Sequence, residues 1–161
     1  MTGAVILLAL CDQHSMVLKQ DVSVWGAGFN QYGQLGDSST VSSFKFVCTV
    51  TSGAKAVTAD SDHSMVLKQD GSVWAAGQNE HGQLGDESTL LVSSSFIKVM
   101  SSGAQALAAG RYHSMVLKQD GSVWDTGKNN HGQFGDGTTA TSSSSRFVRV
   151  VFDSVQTIAA V

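Results

Sequence analysis

Proline is absent from the chain, and cysteine occurs only twice in 161 residues. Turns are marked instead by Asp-Gly pairs and Gly-rich stretches. Two thiols as far apart as Cys11 and Cys48 make neither a metal-ligand pair nor a disulfide framework, so both read as incidental. A basic surplus is missing too: ten Lys and Arg stand against thirteen Asp and Glu, for a net charge of −3. The cations are scattered, several at matching positions (Lys19, Lys68, Lys118), which excludes an electrostatic footprint for nucleic acid. A charged fraction of 14% beside a hydrophobic fraction of 42% excludes both a disordered and a membrane chain. The apolar opening from Ala4 to Cys11 has no Lys or Arg before it and no cleavage site after it, so it does not read as a signal peptide. It aligns on Ala54 to Asp60 and reads as a strand. A cytoplasmic or nuclear location is the default.

What the chain does have is one text written three times. His113-Ser-Met-Val-Leu-Lys-Gln-Asp-Gly-Ser-Val-Trp124 repeats His63 to Trp74 and His14 to Trp25, at steps of 49 and 50 residues. A Gly-rich stretch follows each copy, ending at Asp37, Asp86 and Asp136. Length alone would allow one domain with a real core. A fixed period of this size points instead to stacked units, with bounds at 3–52, 53–102 and 103–152 and the start of a fourth at 153–161.

Each unit holds four apolar runs of strand length without helical periodicity. The first is Ala-rich: Gly53 to Ala59, Gly103 to Gly110, and at the end Val155 to Ala160. Alanine is a poor strand former, so its recurrence implies crowding on an innermost strand. The second and third runs, His63 to Lys68 and Ser72 to Ala76, flank Asp70-Gly71. Either a two-residue turn or a type I turn with a bulge puts Gly71 at positive φ. Met65 and Leu67 lie on one face of this hairpin and Val66 on the other, so it requires neighbours on both sides. The fourth runs are Phe46 to Val50, Phe96 to Met100 and Phe147 to Val151. The Ser/Thr-rich loops before them vary in length and belong at the surface. Whether the Ala-rich run opens a unit or completes the preceding one stays open.

Four-strand units with a Trp and a Gly signature describe propeller blades. The motifs Gly-x-x-His-Ser, Asp-Gly-x-Val-Trp and Gly-x-Asn-x-x-Gly-Gln-Leu-Gly resemble the repeat of the regulator of chromosome condensation family, over nearly the whole chain. The resemblance implies an all-β fold of four-stranded β-propeller blades, here an incomplete three-blade open arc of a family that normally forms a seven-bladed ring. Family members include a nucleotide exchange factor for a small GTPase, ubiquitin ligases that carry the propeller as an accessory, and a bacterial β-lactamase inhibitor.

An open arc exposes apolar faces at both ends. This implies a fragment of a larger product, a partner-dependent or self-associating arc, or a decayed copy. Val22 stands where the other units have Gly71 and Gly121, and a β-branched residue at positive φ costs roughly 1–2 kcal/mol. The first hairpin is therefore expected to be the loosest. The missing proline also departs from the family, which often places one before the outer strand.

Nothing in the chain calls for a catalytic residue, a cofactor or a metal. His14, His63 and His113 sit at equivalent points of adjacent blades and cannot easily converge on one ion; they read as structural braces of the hairpin. Trp25, Trp74 and Trp124 read as wedges between blades. The Gly-rich loops lack the helix and the Lys-Ser/Thr of a phosphate cradle, and Asp37, Asp86 and Asp136 read as turn caps. The positions that vary between repeats are the candidate partner-binding residues: Tyr32, His81 and His131 at one, Phe29, Gln78 and Lys128 at another, and Asp125 where Ala75 stands. The leading expectation is a non-catalytic protein-interaction module with a protein partner or with itself, and with neither nucleic acid nor membrane. Regulation of a small GTPase and enzyme inhibition are the alternatives that the resemblance implies.

Overall fold

The repeated text folds three times into the same antiparallel sheet. The computed structural model describes residues 5–10, 12–138, 143–151 and 153–160, so Cys11 lies outside them. Blade one is β1 (Val5–Leu10), β2 (His14–Lys19), β3 (Val24–Gly28) and β4 (Ser43–Val50), hydrogen-bonded in chain order. Blade two is β5 (Ala54–Asp60), β6 (His63–Lys68), β7 (Val73–Gln78) and β8 (Val92–Met100). Blade three is β9 (Ala104–Gly110), β10 (His113–Lys118), β11 (Val123–Gly127) and β12 (Ser144–Val151). The Ala-rich run thus opens each blade. β5 touches both β1 and β9, which places these three strands innermost, where only small side chains let the sheets approach.

The hairpin of blade two resolves the turn. Lys68 O accepts from Gly71 N at 3.0 Å, Lys68 N donates to Ser72 O at 2.9 Å, and Gly71 has φ 78°. That is a type I turn closed by a glycine bulge. Val22 makes the same bond to Lys19 and is held at φ 59°.

Both faces of the hairpin are buried, and each looks at a different neighbour. Met65, Leu67 and Val73 pack with Ala104, Val116 and Trp124 of blade three. Val66 and Trp74 pack instead with Met16, Leu18 and Val24 of blade one. At about 25 cal/mol per Å² of apolar surface, these two seams are the main source of stability. Each Trp is half-buried, with its indole fixed by a short relay: Trp74 Nε1 donates to Ser72 Oγ at 3.0 Å, and Ser72 Oγ donates to Asp70 Oδ1 at 2.6 Å. Trp25 and Trp124 have the same relay through Ser23 and Ser122. The wedge is not dry on its outer side, because Lys118 covers Trp124 at 4.2 Å and Lys19 covers Trp25 at 4.7 Å.

Three expectations change. The histidines brace the next blade, not their own hairpin: His14 Nε2 meets Ser64 Oγ at 2.7 Å and His63 Nε2 meets Ser114 Oγ at 2.8 Å. The outer strands begin earlier than their apolar runs, at Ser43, Val92 and Ser144. In β8 the serines after Val92 are held in strand conformation by partners on two sides: Ser93 pairs with Gly77, while Ser95 bridges to Asp37 of blade one. Val155 to Ala160 is not a strand. Val155 N does reach Gly121 O at 3.2 Å, as Ala104 N reaches Gly71 O.

Replacing Ser114 by Ala removes the partner of His63 Nε2 and the donor to Gln83 O inside a dry seam. It lowers unfolding stability by about 2 kcal/mol in urea titration. Val22→Gly relieves the strained turn and raises stability by about 1 kcal/mol in the same assay.

Candidate protein-interaction surface

An asparagine builds the loop after each third strand. Asn30, Asn79 and Asn129 accept through Oδ1 from the amides of Leu35, Leu84 and Phe134, at 2.9, 3.1 and 3.0 Å. The expected aspartate caps are also in place: Asp37, Asp86 and Asp136 accept from the amides of Ser39, Ser88 and Thr138. These loops meet the first hairpin turns of their blades, since Phe29, Gln78 and Lys128 donate their amides to Gln13, Asp62 and Tyr112. The variable positions therefore line one rim of the arc.

On that rim the structure brings some of the candidate residues together and removes others. Phe29 and Tyr32 stack edge to face at 6.0 Å. His81 lies against Tyr112 at 5.0 Å, and Lys128 covers the same ring at 4.8 Å. Arg111 also packs on Tyr112, at 5.0 Å. Arg111 and Tyr112 were not among the sequence candidates, although Gln13 and Asp62 at the place of Tyr112 already marked that place as variable. His131 is exposed and belongs to no such cluster among the described contacts.

Gln78 and Asp125 are buried. Gln78 is 7% exposed and accepts from Gln83 Nε2 at 3.3 Å, inside the loop. Asp125 is 0% exposed, on the face of β11 opposite Trp124, and its Oδ2 has no hydrogen-bond partner among the described residues. Burial pushes its carboxyl up to about 8, with the amide of Thr126 opposing. Burial acts on the histidines in the opposite sense, holding His14 down at about 4 and His63 at about 3. All are neutral at pH 7 in the fold. Among the described residues no group of three or more His, Cys, Asp or Glu is placed to hold a metal, and no helix is long and apolar enough to cross a membrane.

The family model for the regulator of chromosome condensation (RCC1) repeat matches residues 55–83 and 104–133, and a second model of that repeat matches 70–117. The chain carries regulator of chromosome condensation repeats. No curated protein sequence matches it. RCC1-type structures do match: Prp20p of Saccharomyces cerevisiae, described with its binding to Gsp1p and histones, is 20% identical with a TM-score of 0.79, over 91% of this chain and 38% of that one. Yeast RCC1 (Prp20) bound to Kap60 is 19% identical with a TM-score of 0.79, over 99% and 40%. Human WBSCR16 is 23% identical with a TM-score of 0.76, over 90% and 39%. This chain thus spans about two fifths of those structures, and the likeness establishes the three-blade arc.

The two kinds of buried group set opposite pH slopes. Neutral histidines with lowered values cost stability as pH falls below about 6.5, where the unfolded chain gains protons. Asp125, with its raised value, costs stability as pH rises from about 4 to about 8, where only the unfolded carboxyl is ionised. Between pH 6.5 and 8 the melting temperature therefore falls, and Asp125→Asn flattens that limb in a calorimetric pH series.

Proposed function

We propose that the chain is a non-catalytic protein-interaction module that presents one rim of a rigid three-blade scaffold to a protein partner. The observation that carries this reading is the cluster around Tyr112, where His81 from blade two and Arg111 and Lys128 from blade three gather on one half-exposed aromatic ring. Aromatic and Arg side chains are the residue types that anchor protein interfaces, and loops on a stiff frame are where recognition residues accumulate. Phe29 and Tyr32 extend the same strip onto blade one. The partner is met in the cytoplasm or nucleus. A triple variant, Tyr32→Ala, His131→Ala and Lys128→Glu, with an unchanged melting curve, should lose most of the capture that the native chain shows in affinity pull-down. Capture at the native level by that variant removes the rim from the reading.

The second reading is regulation of a small GTPase. It is supported by the likeness in fold to Prp20p, whose described partners include Gsp1p. Guanine nucleotide release from a panel of small GTPases separates the two: acceleration above background favours the regulator, and none leaves the interaction module.

A further inference from the structure

The two seams inside the arc share one framework and differ in the side chains that fill it. In both, a loop glycine is pressed by the phenylalanine of the next outer strand, Gly36 by Phe96 and Gly85 by Phe147, which leaves no room for a Cβ. In both, the residue after the loop aspartate holds a left-handed backbone, Ser38 at φ 69° and Glu87 at φ 59°. Their amides donate to the next blade, to Ser94 O at 2.9 Å and to Ser145 O at 2.8 Å. Ser95 and Arg146 bridge back to Asp37 and Asp86, and Val50 and Met100 each pair with the first residue of a third strand. The seam between blades one and two thus has Ser38, Val50 and Ser95 where the seam between blades two and three has Glu87, Met100 and Arg146. The first set is the smaller at every place.

The seam with the smaller set is open along its outer flank. A cavity of about 320 Å³ is lined by Ser38, Thr49, Val50, Lys68, Trp74 and Phe96. A second, of about 370 Å³, shares Lys68 and Trp74 and reaches Gly53, Asp70 and Ser72. Lys68, which lines both, differs from its two repeats. Lys19 is paired with Asp21 at 3.8 Å and Lys118 lies on Trp124 at 4.2 Å, whereas Lys68 Nζ is 5.9 Å from the Trp74 ring centre and donates to Ser52 O at 2.7 Å. Among the described residues no carboxylate comes within ion-pair distance of it. Asp70 acts on it only from farther away, and Asp70 Oδ1 accepts from Ser72 N at 2.9 Å and from Ser72 Oγ at 2.6 Å. Burial pushes the Lys68 ammonium below the usual lysine range, with Asp70 opposing. Lys98 lies over the same indole at 5.3 Å, so two cations share one ring.

We infer that this groove is a second binding site of the module, for an extended segment of a protein partner in which an apolar side chain is followed by a carboxylate. The apolar side chain enters the cavity walled by Val50, Trp74 and Phe96, which has room for one large residue. The carboxylate meets Lys68 and Lys98 and supplies the counter-charge that the seam lacks, as a charge-assisted bond to a partly desolvated ammonium. Two cavities that share Trp74 and open along the flank suit a chain passing through, whereas a small molecule is ordinarily enclosed on most sides. The site goes beyond the rim reading and has no residue in common with the rim cluster.

Heteronuclear NMR tests it through the indole N–H signals of Trp25, Trp74 and Trp124, while two blocked tetrapeptides are added in turn, one with Phe-Glu at its centre and one with Phe-Gln. The Phe-Glu peptide should shift the Trp74 signal saturably with a Kd of about 1 mM or tighter, and leave those of Trp25 and Trp124 in place. The Phe-Gln peptide should bind about tenfold more weakly or worse. Two variants should lose the same factor: Lys68→Met, which keeps the apolar stem and removes the charge, and Ser38→Glu, which puts a carboxylate at the cavity. Ser38→Glu is compatible with the fold because Glu87 holds the same left-handed position in the other seam. No saturable shift of Trp74 up to about 10 mM peptide, equal binding of the two peptides, equal shifts of all three indoles, or folded variants that bind like the native chain each overturns the inference. The peptide comparison uses the native chain alone, so it decides the question even if a melting curve shows a variant unfolded. The rim triple variant keeps this groove, so the two readings fail separately.

Discussion

The constraint on which this structure depends is that no blade can bury its own apolar side chains. Met65 and Leu67 on one face of β6 and Val66 on the other face cannot all be covered within a single sheet. A hairpin of this kind is stable only between two others, and burial on both faces makes the seam, not the sheet, the unit of cohesion. Everything else follows that requirement. Alanine lines the innermost strands because the sheets converge there, glycine occupies the loop because an outer strand lies against it, and the histidine crosses to the neighbouring serine because the seam excludes water.

The polar groups inside the seams set its direction. His14 reaches forward to Ser64 and His63 to Ser114, while the loop carbonyls of the earlier blade accept from the hydroxyls of the later one. An orphaned histidine in such a place costs far more than the paired one contributes, so these bonds select one order and one register of blades without adding much to the total stability.

Strand number, strand order and the strain at Val22 were legible in the sequence, because period, alternation and turn chemistry are local and were written three times. Less legible was whatever depended on a neighbouring blade. The bridge from Ser95 to Asp37 and the crossing of the histidines arise from contacts between residues some fifty positions apart, and no local pattern encodes them. Val155 to Ala160 has strand composition yet is not a strand, so composition alone does not decide its conformation. On the rim, variability between repeats pointed to positions 29, 32, 81 and 128, but variation alone does not separate an exposed substitution from a buried one. Asp125 looked like a recognition residue for the very reason that makes it a structural anomaly, namely a charge-bearing side chain where its counterpart is alanine.

Because every seam joins the tail of one unit to the front of its successor in the same way, the repeat is also the natural quantum of change in gene length. Inserting or excising one unit in phase keeps the same kind of joint between neighbours, whereas losing half a unit leaves one loop and one edge with no mate. A change in length by whole units is therefore tolerated by the packing, and a fractional one is not.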